Sequence, residues 1–379
     1  MAMVHEEDIG VEEVFETNGA KIVVIGVGGG GSNMIAHLIA TGTYKDITLI
    51  VANTDGQALK ASNAKNKIRL GEKLTGGRGA GMRPEIGKQA AQECIEAIKE
   101  AVSGVDLVFI SAGLGGGTGT GAAPVIAQVA KDAGALTVSV VTKPFSFEGK
   151  KRAKVAEEGL KELKAVSDSI VVIPNERLMG YIEKSMGMRN SFKEVDNVLA
   201  KAVNGISGMI IDYGTNDINV DFADLKTVMG HKGLALMGIG EATGVNAATV
   251  AVENAITSPL FDNISINGAM GVLVNFECHP EYPLAEVHAA MGTVNDMADD
   301  DAEVIFGTCT SPNMPTDQIK VTIVATGFEK QEEHKPESKP ESTPNLSKNT
   351  LGGLRLASGG DDYQNVDLDI PAYLRHQKD

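Results

Sequence analysis

The stretch Asp106-Leu-Val-Phe-Ile-Ser-Ala-Gly-Leu-Gly-Gly-Gly-Thr-Gly-Thr-Gly121 decides the fold class of this chain. Residues 106–112 form a short apolar run typical of a buried strand, and residues 115–121 contain only glycine and threonine. Ala122 then begins a helix-forming run, with Pro124 near its first turn, where proline is tolerated. Glycines allow several backbone N–H groups to point at one ligand, and the helix adds its free N–H groups and its dipole. The order strand, glycine loop, helix therefore predicts a phosphate-binding cradle.

Short apolar runs alternate with helical stretches on both sides of this cradle. The predicted strands are residues 21–25, 47–52, 107–111, 136–141 and 169–173. The predicted helices between them are residues 33–40, 85–100, 124–133 and 152–164. Such alternation predicts an α/β fold with a doubly wound parallel sheet covered on both faces.

A long helix and a second strand-bearing region follow. Residues 190–211 carry apolar side chains at steps of three and four, which predicts a central helix with one wide apolar face. Four predicted strands come next (residues 234–239, 271–277, 303–308 and 319–325), with helices at residues 246–257 and 284–296. Because the last strands lack intervening helices, this region predicts a smaller α+β domain with a mixed sheet.

Bulk composition excludes several classes of function. At 379 residues the chain is long enough for two domains, and its net charge of −16 argues against binding nucleic acid or an anionic membrane surface. Three scattered cysteines suit a reducing compartment, and the seven histidines show no metal-ligand spacing. Without an apolar signal segment or a run of about 18 apolar residues, we expect a cytoplasmic protein with no direct membrane insertion.

A second glycine motif supports two interpretations. Gly26, Gly28 and Gly31 follow a predicted strand with G-x-G-x-x-G spacing, and Asp55 follows the next strand. This is the dinucleotide fingerprint, so an NAD-dependent oxidoreductase is the main alternative function. That alternative leaves residues 115–121 unexplained, whereas two cradles on neighbouring strands suit one nucleotide with a polyphosphate chain. A non-catalytic scaffold that binds nucleotide only for stability is a third possibility.

Several motifs together carry a resemblance to a known family. The Gly-Gly-Gly-Thr-Gly-Thr-Gly string closely resembles the signature loop of the tubulin superfamily of GTPases. Further motifs narrow the resemblance to the FtsZ family over about residues 21–328 and the last dozen residues. They are Gly-Gly-Gly-Gly-Ser-Asn33, Asn53-Thr-Asp55, Gly-Ala-Gly81, Thr-Lys-Pro-Phe-Ser-Phe-Glu148-Gly-Lys-Lys-Arg152, Asn219-Val-Asp221-Phe-Ala-Asp224 and the Asp-Ile-Pro-Ala-Tyr-Leu-Arg tail. The resemblance implies a GTPase that polymerises into the bacterial division ring, with GTP/GDP and Mg²⁺, and with a monovalent cation as a further option.

The resemblance assigns nucleotide contacts residue by residue. The loop and phosphate contacts it implies are Gly29, Gly30, Gly31, Ser32, Asn33, Asn53, Asp55, Gly79, Ala80, Gly81, Gly115, Gly116, Gly117, Thr118, Gly119 and Thr120. The loop at residues 76–81 would close over a γ-phosphate, although a mobile surface turn explains it almost as well. Magnesium would be held mainly by the nucleotide rather than by protein side chains.

The base and sugar contacts follow from the same resemblance. Phe192 would stack on guanine, and Asp196 would accept hydrogen bonds from its two edge donors, a pairing that disfavours adenine. Asn33 would also reach the base. Glu148 would bind ribose hydroxyls, Arg152 the sugar-phosphate region, and Asn175 the ribose or base. Local explanations exist too: Phe192 belongs to the apolar helix face, and Glu148 with Arg152 has the spacing of a helical ion pair.

Asn219, Asp221 and Asp224 are the predicted catalytic residues. Locally the two acids suit a helix N-cap and an acidic first turn. However, about 20 helical residues carry the chain roughly 30 Å from Phe192 before Asp221 appears. These acids would therefore orient the attacking water, with help from Asn219, at the nucleotide of a neighbouring copy stacked head to tail.

Residues 329–379 are predicted to form a linker followed by a docking peptide. Residues 329–362 contain too few bulky apolar side chains to fold and are predicted to be disordered. The tail would dock on cell-division proteins, including a membrane tether, although a frayed terminus is the local alternative. The residues implied in docking are Asp369, Ile370, Pro371, Tyr373, Leu374 and Arg375.

The predicted organisation is a flexible N-terminal segment (1–20), a GTP-binding domain (21–190), a central helix (191–213), a C-terminal activation domain (214–328), a linker (329–362) and a docking peptide (363–379).

Overall fold

A computed structural model describes residues 19–42, 47–179, 186–211, 217–231, 233–258 and 268–328, together with Phe261 and Ile266. Within these residues ten strands form one sheet in the order β3-β2-β1-β4-β5-β6-β7-β10-β8-β9. The strands are β1 (Ile22–Val27), β2 (Ile47–Asn53), β3 (Asn66–Arg69), β4 (Leu107–Gly113), β5 (Leu136–Lys143), β6 (Ser169–Pro174), β7 (Gly233–Thr243), β8 (Gly271–Cys278), β9 (Glu303–Thr310) and β10 (Gln318–Thr326). The predicted tail contacts and nearly all of the N-terminal segment lie outside the described residues.

The first seven strands, β1 to β7, pair with one another in parallel. Every residue of β1 is buried, and β4 and β5 are buried except at their last residue. This is the burial expected of central parallel strands that helices cover on both faces. The predicted doubly wound α/β class is confirmed, and all five predicted strands of this part are present.

The second strand-bearing region continues the same sheet. β7 pairs with β6 in parallel, from Ser169–Gly233 to Val171–Ala235. β10 then runs antiparallel to both β7 and β8, and β9 is parallel to β8. The predicted mixed character of this part is confirmed. The chemical role and the boundaries of the proposed domains stay predictions.

Three apolar cores lie between the sheet and the twelve described helices. The helices are α1 (Gly28–Thr41), α2 (Gly56–Ala61), α3 (Glu72–Thr75), α4 (Pro84–Glu93), α5 (Ile95–Val102), α6 (Thr118–Asp132), α7 (Lys150–Val166), α8 (Asn175–Leu178), α9 (Met188–Ile211), α10 (Phe222–Gly230), α11 (Ala247–Ile256) and α12 (Leu284–Met297). One core joins α1, α9 and α10 to the sheet, and a second joins α4 to α7 to the strands around β4. A third lies under α11 and α12.

The central helix α9 links the two parts of the sheet. It buries Val195, Leu199, Val203 and Ile206, as its three-and-four spacing predicts. These side chains share one core with residues of β1, β5, β8 and β10. Its 24 residues span about 36 Å, which is long enough to reach from the first part of the sheet to the second.

Three local expectations were wrong. The helix predicted over residues 85–100 is two helices, broken where the Cys94 thiol donates to the Arg69 carbonyl and the Glu93 carboxylate accepts from the N–H groups that open α3. Strand β3 was missed because only Ile68 of its four residues is buried. Both glycine loops also become helical earlier than expected, since α1 begins at Gly28 and α6 begins at Thr118.

Candidate functional site

The glycine-rich segments meet at one edge of the sheet. β1, β2, β4, β5 and β6 are parallel, so their carboxyl ends lie together. α1 begins directly after β1, and α6 begins five residues after β4 ends. The free N–H groups and the positive dipole ends of two helices therefore lie at neighbouring strand ends, which is the arrangement that binds polyphosphate.

The two helix starts touch through their backbones. Gly28 has φ 70°, and a Cβ on it would lie 2.9 Å from the Gly119 nitrogen. A Cβ on Gly30 would lie 3.1 Å from the Gly113 nitrogen. Larger residues would push the two cradles apart, whereas Gly29 and Gly116 border open space. The structure thus brings together the two predicted phosphate loops, with an open mouth between them.

Two threonine contacts brace the cradle. The Thr120 hydroxyl accepts the Gly115 N–H at 2.9 Å, and it is buried. Thr118 shares a 2.6 Å hydroxyl–hydroxyl hydrogen bond with Thr54, which is fully buried. Thr54 was not among the predicted site residues, although it stands in the Asn53-Thr-Asp55 motif that was singled out. Its contact shows how the end of β2 supports the α6 cradle.

The side chains of Asn53 and Asp55 make hydrogen bonds within the protein. Asn53 Oδ1 accepts the Asp55 N–H at 3.1 Å, and its Nδ2 donates to the Ser32 hydroxyl at 3.4 Å. Asp55 Oδ1 accepts the N–H groups of Gln57 and Ala58 and so caps α2. Both residues lie at the predicted edge, and direct contact with nucleotide stays a prediction for them.

The third glycine loop lies against the α6 cradle. Gly79 and Gly81 have φ 82° and 57°, in the left-handed region that favours glycine. The Gly79 N–H donates to the Thr54 carbonyl at 3.2 Å. Ala80 is buried against Gly117, where a Cβ would lie 2.8 Å from the Ala80 Cβ. Residues 79–81 are therefore within reach of a ligand held at the cradle.

The residues predicted to bind the sugar lie after β5 and β6. Glu148 binds Arg152 at 2.6 Å and also accepts the Phe145 N–H at 2.8 Å. The Arg152 Nε and the Asn175 Oδ1 are buried with no hydrogen-bond partner in the described part of the chain. Buried polar atoms of this kind are normally paired, so they mark positions where a bound ligand can supply the partner. Glu176, which was missed, accepts the Ser146 N–H beside them.

Phe192 and Asp196 lie one helical turn apart near the start of α9. Phe192 is 39% exposed, and its ring packs edge-on against Phe145 with the centroids 5.6 Å apart. Burial raises the pKa of Asp196 to about 7. α9 packs against α1, which carries the exposed Asn33. An exposed ring face beside a half-buried carboxyl suits a base that offers two hydrogen-bond donors on one edge.

The predicted catalytic residues lie at the start of α10 and in the segment before it, away from the glycine loops in the sequence. Asp221 caps α10 by accepting the Asp224 N–H at 2.8 Å, as local sequence suggested, and both acids and Asn219 are exposed. The preceding segment runs beside β9, where Ile218 exchanges hydrogen bonds with Thr308 at 2.8 and 3.0 Å. β9 ends the sheet six strand spacings from β4, or about 29 Å along the sheet. The fold therefore separates these acids from the phosphate cradle.

Across the described ranges, no three His, Cys, Asp or Glu side chains are grouped so as to hold a metal ion. Within the same ranges, no helix combines the length and apolarity that a membrane span requires.

Comparisons with known proteins identify the family of this arrangement. Residues 21–183 match the model for the Tubulin/FtsZ family GTPase domain, and residues 233–329 match the FtsZ family C-terminal domain. Cell division protein FtsZ from Helicobacter pylori strain J99 is 52% identical over 338 residues, covering 86% of this chain and 87% of that protein. The protein from strain 26695 is 53% identical over the same shares.

Solved structures give the same result. An empty FtsZ dimer from M. jannaschii has a TM-score of 0.77 and 44% identity, covering 83% of this chain and 90% of that one. CetZ2 from Haloferax volcanii, described as a GTPγS-bound protofilament, has a TM-score of 0.70 at 20% identity, covering 82% and 94%. At that identity the second similarity shows the fold alone.

Proposed function

This chain belongs to the FtsZ family of tubulin-like cell-division GTPases, and on that premise we propose that it hydrolyses GTP at a site shared by two copies stacked head to tail. GTPase activity and guanine-nucleotide binding follow from the family itself. The comparisons give no support to the alternative of an NAD-dependent oxidoreductase. The assignment of individual residues below is our proposal.

One copy supplies the nucleotide pocket. The starts of α1 and α6 would hold the phosphates, with residues 79–81 closing over the γ-phosphate. Phe192 and Asp196 would bind guanine, since an ionised carboxylate accepts both donors on its edge. Glu148 and Arg152, with the unpaired Asn175 Oδ1, would hold the sugar. These contacts select guanosine triphosphate over adenosine triphosphate by leaving the carboxylate unpaired against adenine.

The separation of the acids from the cradle carries the proposal of a shared site. Asp221 and Asp224 are exposed, and the residues before them run beside β9, which lies six strand spacings, or about 29 Å, from β4. Acids placed there would be out of reach of a nucleotide held at the cradle of their own chain. A second copy stacked head to tail would place them over the exposed phosphates, and a contact of this heterologous kind repeats into a filament.

Hydrolysis needs an oriented water rather than a protein nucleophile. Asp221 and Asp224 would orient the water by accepting hydrogen bonds from its O–H groups, and Asn219 would position it for in-line attack on the γ-phosphorus. The new P–O bond forms as the bond to the β–γ bridging oxygen breaks, giving GDP and phosphate, which takes up the water's proton. The cradle offers backbone N–H donors, and its Thr118 and Thr120 hydroxyls make hydrogen bonds within the protein, so the nucleotide would hold the Mg²⁺, which would neutralise phosphate charge.

Self-association of a relative is the basis for proposing a role for this chain in the cell. The matched M. jannaschii structure is described as a dimer, which supports assembly of this chain with itself. We extend the proposal to a filament that forms the division ring at midcell in the cytoplasm. The tail residues would bind other division proteins, one of them a membrane tether, and a monovalent cation is a further candidate ligand.

Asp221 provides the test, because its two roles can be separated. Asp221→Asn keeps an oxygen that accepts the Asp224 N–H, whereas Asp221→Ala removes both the cap and the charge. We expect both variants to bind GTP and assemble but to lose most of their hydrolysis, while only the alanine variant loses about 1 kcal/mol of stability. Phosphate release with GTP and with ATP, over a range of protein concentrations and with sedimentation of the same samples, measures this.

The wild-type protein sets the reference for these measurements. GTP turnover should begin only above a threshold concentration, together with pelletable polymer. Turnover strictly proportional to protein concentration, without a pellet, would show a self-contained site and overturn the shared-site mechanism. Assembly with no turnover in the wild type would instead indicate a non-catalytic scaffold.

A further inference from the structure

A fully buried threonine joins the phosphate cradle to the loop that is predicted to close over the γ-phosphate. The Thr54 hydroxyl lies 2.6 Å from the hydroxyl of Thr118, the first residue of α6. The Thr54 carbonyl accepts the Gly79 N–H at 3.2 Å and the Thr75 hydroxyl at 3.3 Å. The cradle and the loop at residues 76–81 therefore both hydrogen-bond to one residue, the first through its side chain and the second through its carbonyl.

Backbone contacts of the residues after Thr54 also hold the loop. Asp55 and Arg78 form an isolated antiparallel bridge, and the Gly56 N–H donates to the Gly77 carbonyl at 3.0 Å. These contacts, like the Thr54 carbonyl itself, do not depend on the Thr54 side chain. A substitution at Thr54 that keeps its shape should therefore leave the loop in place and change only the hydroxyl contact with α6.

Burial determines which of the two hydroxyls donates the hydrogen bond. A hydroxyl has one hydrogen to donate, and among the described residues Thr118 is the only hydrogen-bond partner of the Thr54 hydroxyl. If Thr118 donated, the Thr54 hydrogen would be buried without an acceptor, which is costly. Thr54 therefore donates, and the hydrogen of the half-buried Thr118 hydroxyl is left for a ligand. Ionised phosphate oxygens are strong acceptors, so a hydroxyl in this state suits them.

Thr118 lies on the side of the cradle that faces the loop. It directly follows Gly117, and a Cβ on Gly117 would lie 2.8 Å from the Cβ of Ala80, in the loop predicted to cover the γ-phosphate. GDP has no γ-phosphate, so a hydroxyl that donates to that group adds affinity for GTP and none for GDP. Specificity is the difference between two such affinities, and this hydroxyl would contribute to it.

We propose that Thr54 is a positioning residue that orients the Thr118 hydroxyl as a donor to the γ-phosphate and so raises the preference of the site for GTP over GDP. The inference rests on the nucleotide-binding function proposed above and adds a residue that acts through Thr118 rather than by touching the nucleotide. Because hydrolysis removes the γ-phosphate, this contact distinguishes the nucleotide before the reaction from the nucleotide after it.

Variants at Thr54 separate the hydroxyl from the shape of the side chain. Thr54→Val removes the hydroxyl and keeps a β-branched side chain, whereas Thr54→Ser keeps the hydroxyl. Competition of GTPγS and of GDP against a fluorescent guanine nucleotide, below the protein concentration at which assembly begins, gives the ratio of the two affinities. Thr54→Val should lower this GTPγS-to-GDP ratio about fivefold, and Thr54→Ser should keep it within about twofold of wild type.

Two further variants show whether Thr54 acts through Thr118. Thr118→Val alone should also lower the ratio, and adding Thr54→Val should lower it no further, because the hydroxyl that Thr54 orients is already gone. Thr137→Val is the matched control. Thr137 is a fully buried threonine near the start of β5, at the end of that strand away from the site, and its hydroxyl donates to the Ala135 carbonyl. This control should lower the melting temperature and keep the wild-type ratio.

The results separate the positioning role from the nucleotide site itself. An unchanged ratio in Thr54→Val, or an equal fall in Thr137→Val, would show that the positioning role is wrong while nucleotide binding stands. Independent losses in the double variant would show that Thr54 does not act through Thr118. If Thr54→Val does not fold, Thr54→Ala provides a smaller side chain without the hydroxyl, and the same fivefold fall is expected. If the wild-type protein binds neither guanine nucleotide, the proposed function itself fails.

Discussion

The proposed contact between the Asp196 carboxyl group and guanine should make nucleotide affinity depend on pH. Burial raises its pKa to about 7 in the nucleotide-free protein. The proposed contact with guanine requires the ionised form of Asp196, because both groups on that edge of the base donate hydrogen bonds. The bound state therefore lowers the pKa of Asp196, and binding releases a proton when the free carboxyl is protonated. Affinity should rise as pH increases through 7 and become level above it.

The size of the effect follows from the ionised fraction. With a pKa of about 7, roughly 90% of the free protein is ionised at pH 8 and roughly 10% at pH 6. GDP affinity should therefore fall about tenfold between pH 8 and pH 6 because of this one group. Phosphate groups titrate in the same range and add their own pH dependence. Asp196→Asn has the same phosphates to bind and no titrating carboxyl, so it is the matched control.

Equilibrium titration with a fluorescent guanine nucleotide at half-unit pH steps measures this dependence. The ratio of wild-type to Asp196→Asn affinity should increase by about tenfold from pH 6 to pH 8. Parallel pH profiles for the two proteins would refute the reasoning. They would show that Asp196 either stays ionised when the site is empty or makes no hydrogen bond to the base.

Two further predictions concern the cradle itself. A Cβ on Gly121 would lie 1.9 Å from the Pro84 carbonyl oxygen, so Gly121→Ala should lower the free energy of unfolding by about 2 kcal/mol or more. A Cβ on Gly116 meets open space, so Gly116→Ala should change the free energy of unfolding by less than about 1 kcal/mol. Urea denaturation of the two variants compares these values. Thr120→Val removes the buried acceptor of the Gly115 N–H and should cost about 1–3 kcal/mol and weaken GTP binding, while Thr120→Ser keeps the acceptor and should lose much less. A larger loss for serine than for valine would show that the methyl group, rather than the hydroxyl, is what matters.

Much of the architecture could be read from local patterns. The apolar runs at β1, β2, β4, β5 and β6 predicted a parallel sheet because central parallel strands are buried on both faces. The spacing of Val195, Leu199 and Ile206 predicted α9 because a helix repeats every 3.6 residues. Strand β3 escaped detection because an edge strand with one buried residue has no such pattern.

Only part of the site could be predicted from local sequence patterns. The glycine cradles were found because few other residues allow so close a backbone approach, as Gly28 against Gly119 shows. Thr54 was missed because its hydroxyl partner, Thr118, is 64 residues away in sequence. The family resemblance supplied Phe192 and Asp196, which local pattern alone would have left on an ordinary helix face.

The sequence by itself determined what each segment can do chemically: glycine at the phosphate loops, a carboxyl on α9, and two acids at the start of α10. Those properties belong to residue types and short spacings, so they survive without knowledge of the fold. Only the tertiary structure decided how far apart these groups lie. The ten-strand order puts the segment before Asp221 beside the last strand, β9, and the α6 cradle at the end of β4, six strand spacings away. Distances between remote segments depend on strand order and helix packing, which are set by the burial of the whole core rather than by any local run of residues.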